Sequence, residues 1–287
     1  MQLIKNNFDR AVLTVMACLN FACAPIKVLN SIIPENGYQL HAAIPYGTLA
    51  RQKLDIYQPT ATATEPRKVV IFYYGGSWDS GERGDYKFVA EALTSQGYIV
   101  VIPDYRVYPD VLFPELMVDP ASAAKWVKQH IAEYGGSLNE IFLMGHSAGA
   151  HIALMLSVNA EYLVKQAIKP NDFAGVIGLA GPYDFLPLKS ERLKIIFGPE
   201  AERWKSQPIN FVDGKNPPML LALGKKDDTV WRHNTINMAK KIKEHQGLVE
   251  VVEFEQYGHI DMVAKLAKPL RGSGDLLNVV VDFLQKN

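Results

Sequence analysis

The chain has 287 residues, 48% of them hydrophobic, and its 30 basic and 30 acidic residues give a formal charge of zero at pH 7. This content is enough for a substantial core, and we expect one large α/β domain over residues 25–287 rather than two small ones. Cancelling charges, with no run of Lys and Arg, exclude nucleic acid as an expected partner and favour a small, weakly charged molecule. Both cysteines, Cys18 and Cys23, lie near the amino terminus, so the rest of the chain offers no disulfide or thiolate metal site, and we expect no metal or cofactor.

Residues 1–24 have the pattern of a targeting segment. A basic start precedes residues 11–24, which are apolar apart from two polar positions and too short for a comfortable membrane span. We expect a signal or membrane-anchoring segment and an exported or membrane-attached protein, with Cys23 resembling the lipid-attachment cysteine of bacterial lipoproteins. The alternative is an uncleaved amphipathic or buried N-terminal helix, in which case the protein is cytoplasmic.

Hydrophobic patterns predict alternating strands and helices along the chain. Partial alternation of apolar and polar residues predicts antiparallel edge strands at 38–45 and 53–59. Short apolar runs predict buried strands, and helical spacing predicts helices between them. The buried strands are predicted at 68–74, 98–102, 141–144, 175–181, 219–224 and 249–254, and the helices at 86–96, 119–134, from 148 onward, 231–245 and 276–284. This alternation predicts an α/β protein with a mostly parallel central sheet and helices on both faces.

One long connection departs from this regular alternation. Residues 182–217 combine several prolines with five aromatic side chains and carry no clear helix or strand pattern. Long irregular connections in compact domains often cover binding sites. We therefore predict a short lid insertion at 182–217.

The central motif of the chain is Gly145-His-Ser147-Ala-Gly149. It lies between the predicted strand at 141–144 and the predicted buried helix that begins at Ala148. A turn this sharp leaves no room for side chains at either glycine and presents the Ser147 hydroxyl at the top of the sheet. The unpaired amides at the start of the helix, that of Ala148 first, favour a negative charge that forms nearby. The pattern is typical of a nucleophile elbow and makes Ser147 the candidate nucleophile.

A second glycine-containing turn follows the predicted strand at 68–74. Here Gly75 and Gly76 precede Ser77 and Trp78. Adjacent glycines let the backbone approach a ligand with its N–H groups turned inward, as an oxyanion hole requires. A plain glycine turn is the alternative interpretation.

A serine nucleophile needs a base to remove its proton. In hydrolases with such an elbow, the base follows in a loop after a late strand. His259 lies just after the last predicted strand, whereas His233 and His245 fall within a predicted helix. His259 is therefore the candidate base.

The base in turn needs an acidic partner that orients its ring and stabilises its charged form. Asp227 lies three residues after the predicted strand at 219–224, in a loop that precedes a predicted helix. The neighbouring Asp228 is the alternative, and the carboxylate that is not used would cap the helix or face solvent. We take Asp227 as the candidate acid.

Several further polar residues close to these motifs are interpreted as structural. His146 and His151 flank the nucleophile in sequence, and we expect both to be packing residues that point away from the hydroxyl. Asp104, Tyr105 and Arg106 are expected to form a hydrogen-bonded or ionic network beneath the site, since a buried guanidinium must have partners. A direct role of Arg106 in substrate binding or lid anchoring is the alternative.

Taken together, the motifs resemble the bacterial carboxylesterase group of α/β-hydrolases, related to hormone-sensitive lipase and to feruloyl-esterase-like hydrolases. The resemblance extends over most of residues 37–284. The motifs that carry it are Leu54-Asp-Ile-Tyr57, Tyr74-Gly-Gly-Ser-Trp78, Asp104-Tyr-Arg106, Phe113-Pro114, Gly145-His-Ser-Ala-Gly-Ala-His151, Gly181-Pro-Tyr-Asp184 and Gly224-x-x-Asp227-x-x-Val230.

This resemblance implies the α/β-hydrolase fold and an oxyanion hole formed by the amides of Gly76, Ser77 and Ala148. The commoner form of the first motif in that group is His-Gly-Gly-Gly, so Tyr74 and Ser77 depart from it here. Because the donors are main-chain amides, the hole should survive both replacements.

The expected activity is hydrolysis of small carboxylic esters by a serine hydrolase that uses Ser147, His259 and Asp227 and needs no metal. Since the same three side chains serve both bond types, an arylformamidase or another amide hydrolase is the nearest alternative. A noncatalytic binding protein on a hydrolase scaffold is an alternative of another class.

Overall fold

A computed structural model describes residues 29–287 of the chain. These residues contain an eight-stranded sheet with the order β1-β2-β4-β3-β5-β6-β7-β8. The strands are β1 (Tyr38–Pro45), β2 (Lys53–Pro59), β3 (Arg67–Tyr73), β4 (Ile99–Pro103), β5 (Gly136–His146), β6 (Gly175–Leu179), β7 (Met219–Gly224) and β8 (Val249–Phe254). Strand β2 is antiparallel to both of its neighbours, and the other neighbouring pairs are parallel. The predicted α/β class and mostly parallel sheet are confirmed.

Helices lie in the connections after β3 and follow the last strand. They are α1 (Lys87–Thr94), α2 (Val118–His130), α3 (Ala148–Val158), α4 (Glu161–Val164), α5 (Glu191–Ile196), α6 (His233–Glu244), α7 (Asp261–Ala264) and α8 (Asp275–Lys286). In the structure the predicted helix at 119–134 is divided, because its last turn tightens into a 3₁₀ helix at Ile131–Tyr134. Gly135 ends it in a left-handed conformation with φ of 77°, which glycine adopts without steric cost.

The core lies on the central strands and the helix that follows the elbow. Every residue of β4, β6 and β7 is buried, as expected for continuous apolar strands covered on both faces. Helix α3 is buried at every residue except Val158, and it packs on β3, β5 and β6. A helix that is apolar all round is stable only inside such a core, so the elbow rests on a rigid base.

The predicted lid, residues 182–217, connects β6 to β7 and is called the lid segment below, although its role as a lid stays a prediction. It contains α5 and two 3₁₀ helices, Glu200–Ser206 and Pro208–Phe211. Its Phe197 is 2% exposed and packs in one buried cluster with Trp78 and Ala148. The segment thus contacts both the glycine turn after β3 and the start of the elbow helix.

The amino-terminal end of the described region is tied to the fold by polar contacts. Asn30 donates a hydrogen bond to the Gly84 carbonyl at 2.8 Å, and Glu35 pairs with Lys87 of α1 at 2.5 Å. The predicted targeting segment, residues 1–24 with Cys23, lies outside the described residues. Among the helices of residues 29–287, none has the length and apolar content needed to cross a bilayer.

Asp104, Tyr105 and Arg106 do not form the single network expected from the sequence. Asp104 pairs with Arg83, which also binds Asp55 at 2.8 Å. Arg106 instead binds Asp119 with two parallel hydrogen bonds of 2.8 and 2.9 Å. The charges of Asp104 and Arg106 therefore belong to separate ion pairs. These pairs tie the 3₁₀ helix Arg83–Tyr86 to β2 and to the segment after β4, and α2 to that same segment.

We expect Arg83→Met to lower the free energy of unfolding by about 3 kcal/mol, because it leaves two buried carboxylates without their counter-charge. Asp55 and Asp104 are each only 6% exposed. Urea unfolding followed by circular dichroism measures the change. The matched control is Lys165→Met, which breaks the exposed pair between Lys165 and Glu161 and should cost less than about 0.5 kcal/mol. Equal effects of the two variants would contradict the conclusion that Arg83 neutralises two buried carboxylates.

Candidate active site

Ser147 lies in a strained turn between β5 and α3. Its backbone has φ of 55° and ψ of −123°, and its N–H donates to the Leu179 carbonyl at 3.0 Å. A side chain at Gly149 would lie 1.9 Å from the Tyr73 carbonyl oxygen, and one at Gly145 would lie 2.2 Å from that of Gly149. Gly149 is therefore required by close packing of the helix start on β3, and Gly145 by close packing of the end of β5 on that helix start. The strain, of the order of 1–3 kcal/mol, is borne by the buried strand and helix on either side.

The structure brings the three predicted side chains into one hydrogen-bonded chain. Nε2 of His259 lies 2.9 Å from Oγ of Ser147, and Nδ1 lies 2.8 Å from Oδ2 of Asp227. A carboxylate only accepts hydrogen bonds, so Nδ1 carries the proton and the lone pair of Nε2 faces the hydroxyl. The His259 and Asp227 side chains are 10% and 2% exposed, which limits competition from water. This arrangement is able to remove the proton from a serine hydroxyl.

The Asp227 carboxylate is held by several donors besides the imidazole. The backbone N–H groups of Thr229 and Val230 donate to its Oδ1 at 2.9 and 2.8 Å. Burial by itself raises the pKa of Asp227, but the hydrogen bonds from His259 and Val230 outweigh it and leave the pKa below its usual value. The acid therefore stays ionised beside the ring. Asp228 is exposed and meets the Thr229 hydroxyl at 3.4 Å, so of the two candidate acids only Asp227 contacts the base.

The glycine turn after β3 lies directly against the elbow. A side chain at Gly75 would approach Cβ of Ser147 to 3.2 Å. Gly76 and Ser77 have φ of 131° and 49°, and within residues 29–287 their N–H groups donate to no backbone carbonyl. Ala148 is the first residue of α3, where helical amides lack partners within the helix. These observations are consistent with the predicted oxyanion hole of Gly76, Ser77 and Ala148, which stays a prediction.

Trp78 holds this glycine turn in place. It has φ of 60°, which is unfavourable for a large side chain, yet its side chain is only 5% exposed. The indole N–H donates to Nδ1 of His151 at 3.2 Å, and the ring packs on Phe185 and Phe197 of the lid segment with centroid distances of 5.7 and 4.8 Å. This burial offsets the backbone strain. The bond from Trp78 to His151 was not predicted from the sequence, because the two residues lie 73 positions apart in the chain.

Tyr74 replaces the histidine that is commoner at the start of this motif. Its ring is fully buried and stacks on Tyr105 at 4.6 Å and on Tyr86 at 5.6 Å. Its hydroxyl meets Oδ1 of Asp104 at 2.9 Å and accepts from Arg51 at 2.9 Å. The tyrosine thus supports the turn from below.

His146 and His151 are buried, as the packing interpretation expects, but each also binds a loop of the site. Nε2 of His146 lies 3.0 Å from the backbone oxygen of His259, and Nε2 of His151 lies 2.8 Å from that of Ser206. Burial lowers the pKa of His146 to about 3 and that of His151 to about 4, so both rings are neutral near pH 7. Neither contacts the Ser147 hydroxyl.

The described part of the chain, residues 29–287, has no group of three or more His, Cys, Asp or Glu side chains placed to hold a metal ion. The polar atoms that converge on Ser147 are an imidazole, a carboxylate and main-chain amides. These are the groups that acyl transfer through a serine uses.

Comparison with known proteins identifies the family to which the chain belongs. The BD-FAE family model matches residues 54–242, which is more than half of the chain. A relative from Arabidopsis thaliana named "Probable isoprenylcysteine alpha-carbonyl methylesterase ICMEL1" is 30% identical over 257 residues, which cover 81% of this chain and 53% of the relative. The kynurenine formamidase of Salmo salar is 28% identical over 235 residues, which cover 78% of this chain and 76% of that protein.

Solved structures agree with the fold. Esterase B from Lactobacillus rhamnosis, inhibited by a tributyrin phosphonate, superposes with a TM-score of 0.80 at 19% identity, covering 97% of this chain and 95% of that chain. This chain spans about half the length of the Arabidopsis relative. The family match and the architecture confirm the resemblance to the carboxylesterase group. The chain belongs to the BD-FAE family of α/β-hydrolases.

Proposed function

We propose that the protein is a serine hydrolase that cleaves small carboxylic esters through an acyl-enzyme. The observation that carries the proposal is the hydrogen-bonded chain from Ser147 through His259 to Asp227, with distances of 2.9 and 2.8 Å. The methylesterase name of the Arabidopsis relative and the esterase name of the structural neighbour support the same bond type. The activity is proposed for the α/β-hydrolase domain that residues 29–287 form.

The first half of the reaction forms a bond between Ser147 and the acyl group. As Oγ attacks the carbonyl carbon, Nε2 of His259 takes the hydroxyl proton and the carbonyl electron pair moves onto its oxygen. When the tetrahedral intermediate collapses, the C–O bond to the leaving group breaks and His259 gives the proton to the departing alkoxide. The product is an alcohol, and the acyl group remains esterified to the serine.

The second half repeats these steps with water as the nucleophile. His259 takes a proton from water, hydroxide adds to the acyl carbon, and collapse returns the serine oxygen with that proton. The carboxylic acid then leaves. In both halves the amides of Gly76, Ser77 and Ala148 stabilise the negative oxygen, and Asp227 stabilises the imidazolium.

The aromatic packing around the elbow favours small acyl groups. Ala148, next to the nucleophile, packs in one cluster with Trp78, Phe197, Leu188 and Ile196, and each of these side chains is at most 7% exposed. Such a closed wall leaves little room for a long chain on this side of the serine. The neutral overall composition is consistent with an uncharged substrate.

An arylformamidase is the second candidate function. It is favoured by the similarity to the kynurenine formamidase of Salmo salar, because the matched region covers 76% of that protein but only 53% of the Arabidopsis methylesterase relative. The same nucleophile, base and oxyanion donors would serve a formamide, with an amine as the leaving group.

For the wild type, we expect kcat/KM to be at least about tenfold higher for short phenyl esters than for N-formyl aromatic amines, because a phenoxide leaves more easily than an anilide. Steady-state kinetics with phenyl acetate, phenyl butyrate and N-formylaniline measure the ratio. A ratio below one would favour the formamidase function.

We expect Ser147→Ala to lower kcat on short p-nitrophenyl esters by about 10³-fold or more, because the nucleophile is lost and only the oxyanion donors remain. The variant should also lose labelling by a fluorophosphonate probe. Ser95→Ala, at an exposed serine after α1, is the matched control and should keep both. A wild type that neither hydrolyses esters nor reacts with the probe would support a noncatalytic binding protein.

The two neighbouring aspartates provide a matched pair. Asp227→Asn should lower kcat by about 10³- to 10⁴-fold, because an amide no longer fixes the tautomer of His259 or stabilises its charged form. Asp228→Asn should change kcat by less than about twofold, since that side chain is exposed and does not touch the ring. Equal losses in the two variants would show that the acid has been misassigned.

A further inference from the structure

His146 lies where the elbow and the glycine turn meet the base loop, the loop between β8 and α7 that carries His259. It immediately precedes Ser147 and is 3% exposed. Its Nε2 atom lies 3.0 Å from the backbone oxygen of His259, and the centroids of the two imidazole rings are 4.8 Å apart. A side chain on Gly75 would come within 3.3 Å of its Nδ1 atom, so the other edge of the ring faces the glycine turn.

These contacts determine which nitrogen of His146 carries the proton. A backbone carbonyl only accepts hydrogen bonds, so Nε2 of His146 must be the donor and Nδ1 is unprotonated. Within residues 29–287, the buried Nδ1 atom has no hydrogen-bond partner. Burial, reinforced by the nearby His259, lowers the pKa of His146 to about 3. The ring therefore remains a neutral donor while the neighbouring base gains and loses its proton.

The carbonyl that His146 binds belongs to the residue whose side chain is the proposed base. Within residues 29–287, no backbone N–H is found to donate to this carbonyl, so the His146 ring is its donor. His259 lies in the loop between β8 and α7, whereas His146 is the last residue of β5, a strand of the buried sheet. The hydrogen bond thus joins a partly exposed loop to a buried inner strand of the sheet. Catalytic groups must be held to within about 0.5 Å to remain productive.

We propose that His146 is a positioning residue for the base: its Nε2–H holds the main chain of His259 against the residue that precedes the nucleophile. The imidazole of His259 then stays within hydrogen-bonding distance of Ser147 during both proton transfers. The inference deepens the proposed function and rests on it, since it takes His259 as the base. His146 itself touches neither the substrate nor the hydroxyl.

A pair of amide substitutions in the full-length protein separates this role from packing. In His146→Gln, the side-chain NH₂ reaches about as far as Nε2 and is able to donate to the His259 carbonyl. In His146→Asn, the amide lies near the position of Nδ1 and falls short of the carbonyl. The two variants are similarly polar and are both smaller than histidine, so they differ mainly in this hydrogen bond. Thermal unfolding provides the check that both are folded.

On a short p-nitrophenyl ester, we expect His146→Asn to lower kcat by about 10- to 100-fold with KM changed less than about threefold, because displacement of the base slows proton transfer more than it weakens binding. His146→Gln should retain kcat within about fivefold of the wild type. The rate of fluorophosphonate labelling of Ser147 should follow the same order. Wild-type kcat in both variants, or equal losses in both, would overturn the proposal, because neither result depends on the hydrogen bond.

A spectroscopic readout separates failure of this inference from failure of the proposed function. The proton shared by Nδ1 of His259 and Asp227 should give a downfield ¹H NMR resonance, assigned by its loss in His259→Gln. This resonance should be kept in His146→Gln and broadened or lost in His146→Asn, whether or not any ester is cleaved. An unchanged resonance in both variants would show that His146 does not position the ring, and a wild type inactive on esters with the expected NMR pattern would refute only the proposed function.

Discussion

The packing of the elbow against the neighbouring strand is the constraint on which the rest of the site depends. The start of α3 approaches β3 so closely that a Cβ atom at Gly149 would lie 1.9 Å from the Tyr73 carbonyl. The chain between strand and helix then has room only for a sharp turn, which raises Ser147 above the sheet and leaves the amide of Ala148 at the helix start. Because β3 itself continues into the glycine turn, the same contact also sets how near Gly75 and its neighbours lie to the serine.

Two buried neutral histidines extend this rigid unit to the surrounding loops. His146 binds the main chain of the base loop, and His151 binds both the Trp78 indole and the Ser206 carbonyl of the lid segment. Each ring uses Nε2 as a donor to a carbonyl, and burial keeps each uncharged. The two histidines thus hold both ends of the elbow, one residue before and four residues after Ser147. A charged side chain at either position would be a buried charge, which is costly.

Ion pairs stabilise the part of the fold around β2 and β4. Arg83 binds Asp55 at the start of β2 and Asp104 just after β4, and Tyr74 bonds to the same Asp104 carboxylate. Tyr74 is therefore a structural replacement for the commoner histidine, with its ring stacked between two other tyrosines. The glycine turn is thus supported by the Tyr74 side chain that precedes it and by the ion pair of Asp104 with Arg83.

The amino-acid sequence alone determined the order of the strands along the chain and the turn at Ser147, and it pointed to His259 as the proposed base, because these depend on hydrophobic period, glycine placement and position after a strand, which are local properties. The tertiary structure decided between Asp227 and Asp228, divided Asp104 and Arg106 between separate ion pairs, and gave His146 and His151 their partners. Those partners lie 113 and 55 residues away in the chain. No local pattern encodes such distances, since they arise only when loops from different strands converge at one edge of the sheet.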